Sequence, residues 1–153
     1  MSKTRIKMGK EIERKYLVIS SEYKEMATSR SRIKQGYLQR DPECTVRIRV
    51  RDDRGFITVK GITKGDTRLE YEYEIPEKDA EEMLNLCLGK IIDKTRWLVP
   101  FEGHIWEVDE FLRDHEGLVV AEIELKSSDE QYSEPPFVGR QVTGDPRYYN
   151  SNL

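Results

Sequence analysis

The 153-residue chain has only two cysteines, Cys44 and Cys87, and two histidines, His104 and His115. Neither pair has zinc-type spacing, which argues against a thiolate or imidazole metal centre. Both cysteines stand in apolar contexts and read as reduced, structural thiols of a cytoplasmic protein. No run of 18 apolar residues occurs, so no membrane-spanning helix is expected. The opening MSKTRIKMGKEIERKYLV has no apolar core segment and no small-residue cleavage site, and no secretory signal is expected. An excess of one charge sign is also missing, because 26 Lys+Arg face 29 Asp+Glu. With a pI near 5.6, there is no bulk electrostatic reason to expect nucleic-acid binding.

Charge of both signs is abundant. Charged residues make up 36% of the chain, against roughly 25% in an average domain, a surplus of about 17. The length fits one domain over residues 1–153, with 1–8 as a short flexible tail or as residues preceding a start at Met8. Period-two alternation, the mark of strands, runs through 11–18, 33–39, 45–51, 55–60, 68–75, 92–99, 105–111 and 118–126. Asp52-Asp53-Arg54 reads as a hairpin turn. A helix is expected over 76–90, a weaker one over 21–29 and a single turn over 128–133. Eight strands with a few short helices predict a mainly β (α+β) fold, a closed eight-stranded antiparallel β-barrel.

Residues two apart on a strand share a face. Sorting the strands by parity places 17 charged residues on one face, eight basic and nine acidic. Most belong to tight groups: Glu11/Glu13/Lys15, Arg47/Arg49/Arg51, Arg68/Glu70/Glu72/Glu74, Lys94/Arg96, Glu107/Asp109 and Glu122/Glu124, with Lys60 beside them. The other face carries Ile12, Tyr16, Ile48, Val50, Tyr71, Tyr73, Trp97, Trp106 and Val108. A wet outer face would account for any single strand. It accounts poorly for the set, because adjacent like charges repel unless a cation lies between them. If the charged face turns inward, the interior is a polar tunnel. Carboxylates without Cys or His suit hard cations such as Mg²⁺ or Mn²⁺. Facing arginines and lysines suit an oligophosphate.

Glu11-x-Glu13-x-Lys15 resembles the signature of the CYTH superfamily, the triphosphate tunnel metalloenzymes. Arg47-x-Arg49, Lys60, Arg68-x-Glu70-x-Glu72, Lys94-x-Arg96, Glu107-x-Asp109 and Glu122-x-Glu124 follow in the family's order, and 142–150 also looks like the bacterial single-domain members. The resemblance implies divalent-metal-dependent hydrolysis of inorganic triphosphate to diphosphate and phosphate, with one or two Mg²⁺ or Mn²⁺ ions. It implies metal ligands at Glu11, Glu13, Glu72, Asp109, Glu122 and Glu124. It further implies a phosphate grip by Arg47, Arg49, Lys60, Arg68, Lys94 and Arg96, and a catalytic Lys15–Tyr37 pair. Family habit adds a homodimer. The alternatives are a class IV adenylyl cyclase, a nucleoside or thiamine triphosphatase, and a polyphosphate-binding module without turnover. Arg51 and Glu74 extend the charged face beyond the motif and are expected at the tunnel mouths or surface.

Overall fold

The computed structural model describes residues 5–7 and 9–153, with side chains from residue 9 onward. Ten strands are present: β1 (Arg5–Lys7), β2 (Lys10–Val18), β3 (Ser29–Asp41), β4 (Cys44–Arg51), β5 (Arg54–Gly61), β6 (Thr67–Ile75), β7 (Leu88–Phe101), β8 (His104–Phe111), β9 (Val119–Leu125) and β10 (Val138–Gln141). Two short α-helices, α1 (Tyr23–Met26) and α2 (Glu77–Leu84), are joined by three 3-10 turns. No helix among the described residues is long and apolar enough to cross a membrane.

The neighbours run β6-β5-β4-β3-β7-β8-β9-β2, all antiparallel, and β2 pairs back onto β6. Eight strands therefore close into a barrel. The closing seam is short: Lys10, Glu11 and Ile12 pair with Leu69, Arg68 and Thr67. Beyond it the edges of β2 and β6 diverge and are covered by β10 and β1 respectively. The segment expected as a tail thus contributes β1, while residues 1–4 and 8 lie outside the described residues.

Cross-strand partners lie on the same side of the sheet. Lys15 pairs with Glu122, Arg96 with Asp109, Lys60 with Glu70 and Tyr37 with Arg47. The charged parity face is therefore continuous, and it lines the barrel interior. The apolar face points outward and is covered. Ile48, Val50 and Ile75 pack beneath Ala80 and Leu84 of α2. Trp106, Val108, Ala121 and Ile123 pack with Tyr23 of α1 and with Phe137 and Val138. Gly36 makes one of these contacts feasible, because a Cβ there would lie 2.8 Å from the Cβ of Cys87 in the turn after α2.

The interior is not polar along its whole length. Tyr37, Ile92, Phe111 and Val120 form a buried apolar cluster with Leu17, Leu118 and Leu153. One end of the barrel is therefore filled, and the charged space lies toward the other. Two helical expectations also change. Helix α2 ends at Leu84 because Leu88 already pairs with Tyr37 of β3 and Gly89 takes a φ of +65°. The 128–133 segment forms no helix, and its Glu130 reaches His104 Nε2 at 2.7 Å.

On the outer surface, Asp93 accepts from Arg32 Nε at 2.5 Å and Nη2 at 2.6 Å, and from Arg113 Nε at 2.7 Å. Its side chain is only 2% exposed. Arg32, helped by Arg113, holds this carboxyl below the usual aspartate range. A lowered folded pKa stabilises above the unfolded pKa of about 3.9 and loses that contribution as pH falls. Urea unfolding of wild type and Asp93→Asn should therefore differ most near neutrality and converge on acidification. A gap that persists undiminished at pH 3 would refute the assignment.

Candidate active site

At the open end, β2 and β9 bring four acids together. Glu13 pairs in register with Glu124, and Glu122 lies between Lys15 on one side and Glu107 on the other. The alternation of each strand points these side chains inward, and antiparallel pairing sets acid beside acid. Lys15 Nζ approaches Glu122 Oε1 at 3.3 Å. Burial alone would raise the Glu122 pKa, but Lys15, with Arg96 and Lys94, pulls it down to about 2. Glu11 is 3% exposed and pairs with Lys60 Nζ at 3.1 Å, and Lys60 also reaches Glu70 at 3.1 Å. Although buried, Lys60 is held above the usual lysine range by Glu11.

Glu13 differs from these. Among the described residues its carboxylate makes no hydrogen bond or ion pair. Burial, then Glu122 and Glu11, push its pKa well above the ordinary glutamate value. Like charges facing across a partly dry space raise a pKa in this way unless a cation intervenes.

The rest of the wall is largely basic. Arg47 and Arg49 come from β4, Lys60 from β5, Arg68 from β6, and Lys94 and Arg96 from β7. Arg47 Nη2 donates to Thr58 Oγ1 at 3.1 Å and Glu72 Oε2 at 3.2 Å. Arg96 clasps Asp109 in a bidentate pair at 2.8 and 2.9 Å. Lys94, fully buried, donates to the same carboxylate at 2.7 Å. Arg68 is turned onto the Gly61 carbonyl at 2.8 and 3.0 Å. Among the described residues, Arg49 has only the Gln35 side-chain oxygen, at 2.9 Å. Burial, Arg47 and Arg96 press its pKa down to about 9.

One cavity touches both walls. Its lining includes seven acids (Glu11, Glu13, Asp66, Glu70, Glu107, Glu122 and Glu124) and seven bases (Lys15, Arg47, Arg49, Lys60, Arg68, Lys94 and Arg96). Balanced charge that is only partly paired internally suits a ligand that is itself an anion carrying cations. Tyr37 also lines the cavity, opposite Arg47, and no hydrogen bond joins it to Lys15 among the described residues.

The structure separates the six acids expected to bind metal. Glu11, Glu13, Glu122 and Glu124 line the cavity. Glu72 and Asp109 do not. Glu72 is engaged by Arg47 and Thr58, and both Asp109 oxygens are engaged by Arg96 and Lys94. No three carboxylates among the described residues stand close enough to hold an ion in the present side-chain positions. The donor set still fits a hard divalent cation, because the repulsion of Glu122 and Glu11 on Glu13 outweighs the attraction of Lys60 and Lys15. Arg51 and Glu74 are outside the site, Arg51 over the Phe56 ring and Glu74 paired with Arg54.

Several cavity residues escape a search for charge. Thr45 shares the charged parity face but is neutral, and Gln35 and Thr58 lie buried on the same face just behind the lining. The C-terminal segment contributes Thr143, Tyr149, Asn150 and Ser151. Lys15 Nζ donates to the Tyr148 carbonyl at 3.0 Å, and Lys94 Nζ to Asn150 Oδ1 at 3.1 Å. The sequence signal for this segment is only its likeness to bacterial relatives over 142–150.

Comparison with known proteins adds three findings. The CYTH domain model matches residues 9–149. An inorganic triphosphatase of Acetivibrio thermocellus is 52% identical over 147 residues, covering 95% of this chain and 94% of that one. An inorganic triphosphatase of Nitrosomonas europaea is 32% identical over 148 residues, covering 94% and 95%. A crystal structure described as an inorganic triphosphatase superposes with a TM-score of 0.64 at 29% identity, covering 93% of this chain and 92% of the other.

Proposed function

Because the chain belongs to the CYTH domain family, we propose that it hydrolyses inorganic triphosphate to diphosphate and phosphate in the charged end of its barrel. The observation that carries this reading is the cavity lined by seven acids and seven bases, four of the acids gathered on β2 and β9 and six of the bases on β4, β5, β6 and β7. The names of the two triphosphatase relatives support the substrate.

Glu11, Glu13, Glu122 and Glu124 would hold Mg²⁺ or Mn²⁺, which when bound neutralises phosphate oxygens and lowers the pKa of a coordinated water. Phosphoryl transfer otherwise needs positioning and charge stabilisation. Arg47, Arg49, Lys60, Arg68, Lys94 and Arg96 grip the phosphate oxygens from the basic wall. Glu72 and Asp109 act behind that grip, keeping Arg47 and Arg96 extended. Although burial opposes its charge, Lys15 is kept cationic by Glu122 and Glu13, which suits it to donate to a phosphoryl oxygen. Tyr37 presents its hydroxyl to the reacting phosphate or to the attacking water. The free thiols of Cys44 and Cys87 suit a reducing cytoplasm.

The test is phosphate release from triphosphate, diphosphate, ATP and thiamine triphosphate, each with Mg²⁺ and with Mn²⁺. Triphosphate should turn over fastest, and chelation by EDTA should stop it. No release with either metal would refute the reading. Faster formation of cyclic AMP from ATP would replace it with a cyclase.

A further inference from the structure

We propose that Gln35 and Asn150 are positioning residues that aim Arg49 and Lys94 at the substrate, which makes the C-terminal segment part of the phosphate seat. The inference rests on the triphosphatase reading above and deepens it.

Four side chains form a continuous hydrogen-bonded row, three of them lining the cavity (Arg49, Lys94 and Asn150) and Gln35 buried behind them. Gln35 on β3 is 0% exposed. Its Oε1 accepts from Arg49 Nε at 2.9 Å, and its Nε2 donates to Asn150 Oδ1 at 3.3 Å. The same Asn150 oxygen accepts from Lys94 Nζ at 3.1 Å. Asn150 is placed from two sides. Upstream, the Tyr148 carbonyl accepts from Lys15, and downstream Leu153 packs on the apolar cluster around Ile92 and Phe111.

The amide chemistry of the two partners is the informative point. Arg47, Lys60 and Arg96 each have a carboxylate in contact, which fixes the side chain and also offsets its charge. Arg49 is 6% exposed and, among the described residues, has no carboxylate in contact. A neutral amide oxygen fixes a guanidinium while leaving its positive charge available. Asn150 gives Lys94 a second acceptor without adding a second negative charge. The crowding of Arg47 and Arg96 around Arg49 then favours an incoming anion, which relieves their mutual repulsion. Gln35 thus orients Arg49 without offsetting its charge, and Asn150 orients Lys94 without adding to the charge of Asp109, its existing partner.

The isosteric acids separate this role from ordinary packing. Gln35→Glu keeps the acceptor facing Arg49 and supplies a counter-charge that offsets the lost donor to Asn150, so the thermal midpoint should hold. The KM for triphosphate should nevertheless increase about tenfold or more, the scale of a hydrogen bond involving a charged group, with kcat changed far less. Asn150→Leu should also raise KM about tenfold, and the Gln35→Leu/Asn150→Leu pair should raise it by less than the product of the single effects. Asn152→Ala, on the same turn but outside this row, should leave KM unchanged. An unchanged KM in Gln35→Glu and Asn150→Leu, in a background where wild type hydrolyses triphosphate, would overturn the proposal. A wild type that never hydrolyses triphosphate would instead overturn the functional reading. Calorimetric titration with triphosphate then measures the same variants, and equal affinities would reject the positioning role independently.

Discussion

Glu13→Gln should remove triphosphate hydrolysis and, in EDTA, make the protein more stable. The two effects have one origin. Glu13 sits between Glu11 and Glu122 without a partner among the described residues, and burial and these neighbours raise its pKa. If it is a metal ligand, its loss should cost more than the 10–100-fold typical of an outer-shell residue, so activity should fall by at least about 100-fold. Without metal, the burial of this carboxylate and its repulsion by Glu122 and Glu11 outweigh its attraction to Lys60 and Lys15. A raised folded pKa stabilises relatively at low pH and costs stability as pH climbs past the unfolded value of about 4.3. The gain from glutamine should therefore vanish near pH 4 and grow toward neutrality, read as a Tm above wild type at pH 7. Thermal melts in EDTA at pH 4 and pH 7, beside a phosphate-release assay, would test both parts. A variant that keeps wild-type activity, or that melts lower at pH 7, contradicts the assignment.

Asp109→Ala should do the opposite to stability. Asp109 is 1% exposed and holds Lys94 at 2.7 Å and Arg96 at 2.8 and 2.9 Å. Although burial opposes its charge, Arg96 and Lys94 keep this carboxyl far below the usual range. Deleting it leaves two buried cations short of their counter-ion. Breaking a buried pair from one side costs about 3–5 kcal/mol, a fall in Tm on the order of 10 °C. Arg96→Met added to Asp109→Leu should recover part of the loss, because removing both partners leaves fewer stranded charges. If Asp109→Ala melts like wild type in EDTA and fails only in metal-dependent turnover, Asp109 is a ligand and not a brace.

The contrast between Glu13 and Asp109 shows what alternation could reveal. Period two tells which side of the wall a residue faces, and it places the charged set on one face of seven strands. It does not tell depth along the barrel, which depends on strand stagger. Glu72 and Asp109 carry the same motif logic as Glu13 and Glu122, yet register puts them against arginines on neighbouring strands. Depth also hid the apolar end, because Phe111, Val120 and Ile92 share the inner parity but look like ordinary strand residues. Gln35 and Thr58 were on the right face and lacked only charge. Asn150 could not be placed by periodicity at all, since it lies after the last strand and reaches the cavity through tertiary packing.

The three-pair seam between β2 and β6 bears on how the wall is assembled. β3–β4, β4–β5, β5–β6, β7–β8 and β8–β9 are hairpin neighbours that form locally. β2 meets β9, β6 and β10, all distant in the chain. Loop-closure entropy places such pairings late. The strand that completes the cylinder is thus the one bearing Glu11 and Glu13, and it docks against Glu122 and Glu124. The folding chain meets its densest like-charge repulsion in the last step of closure, so counter-ions captured there favour the finished wall as well as the chemistry inside it.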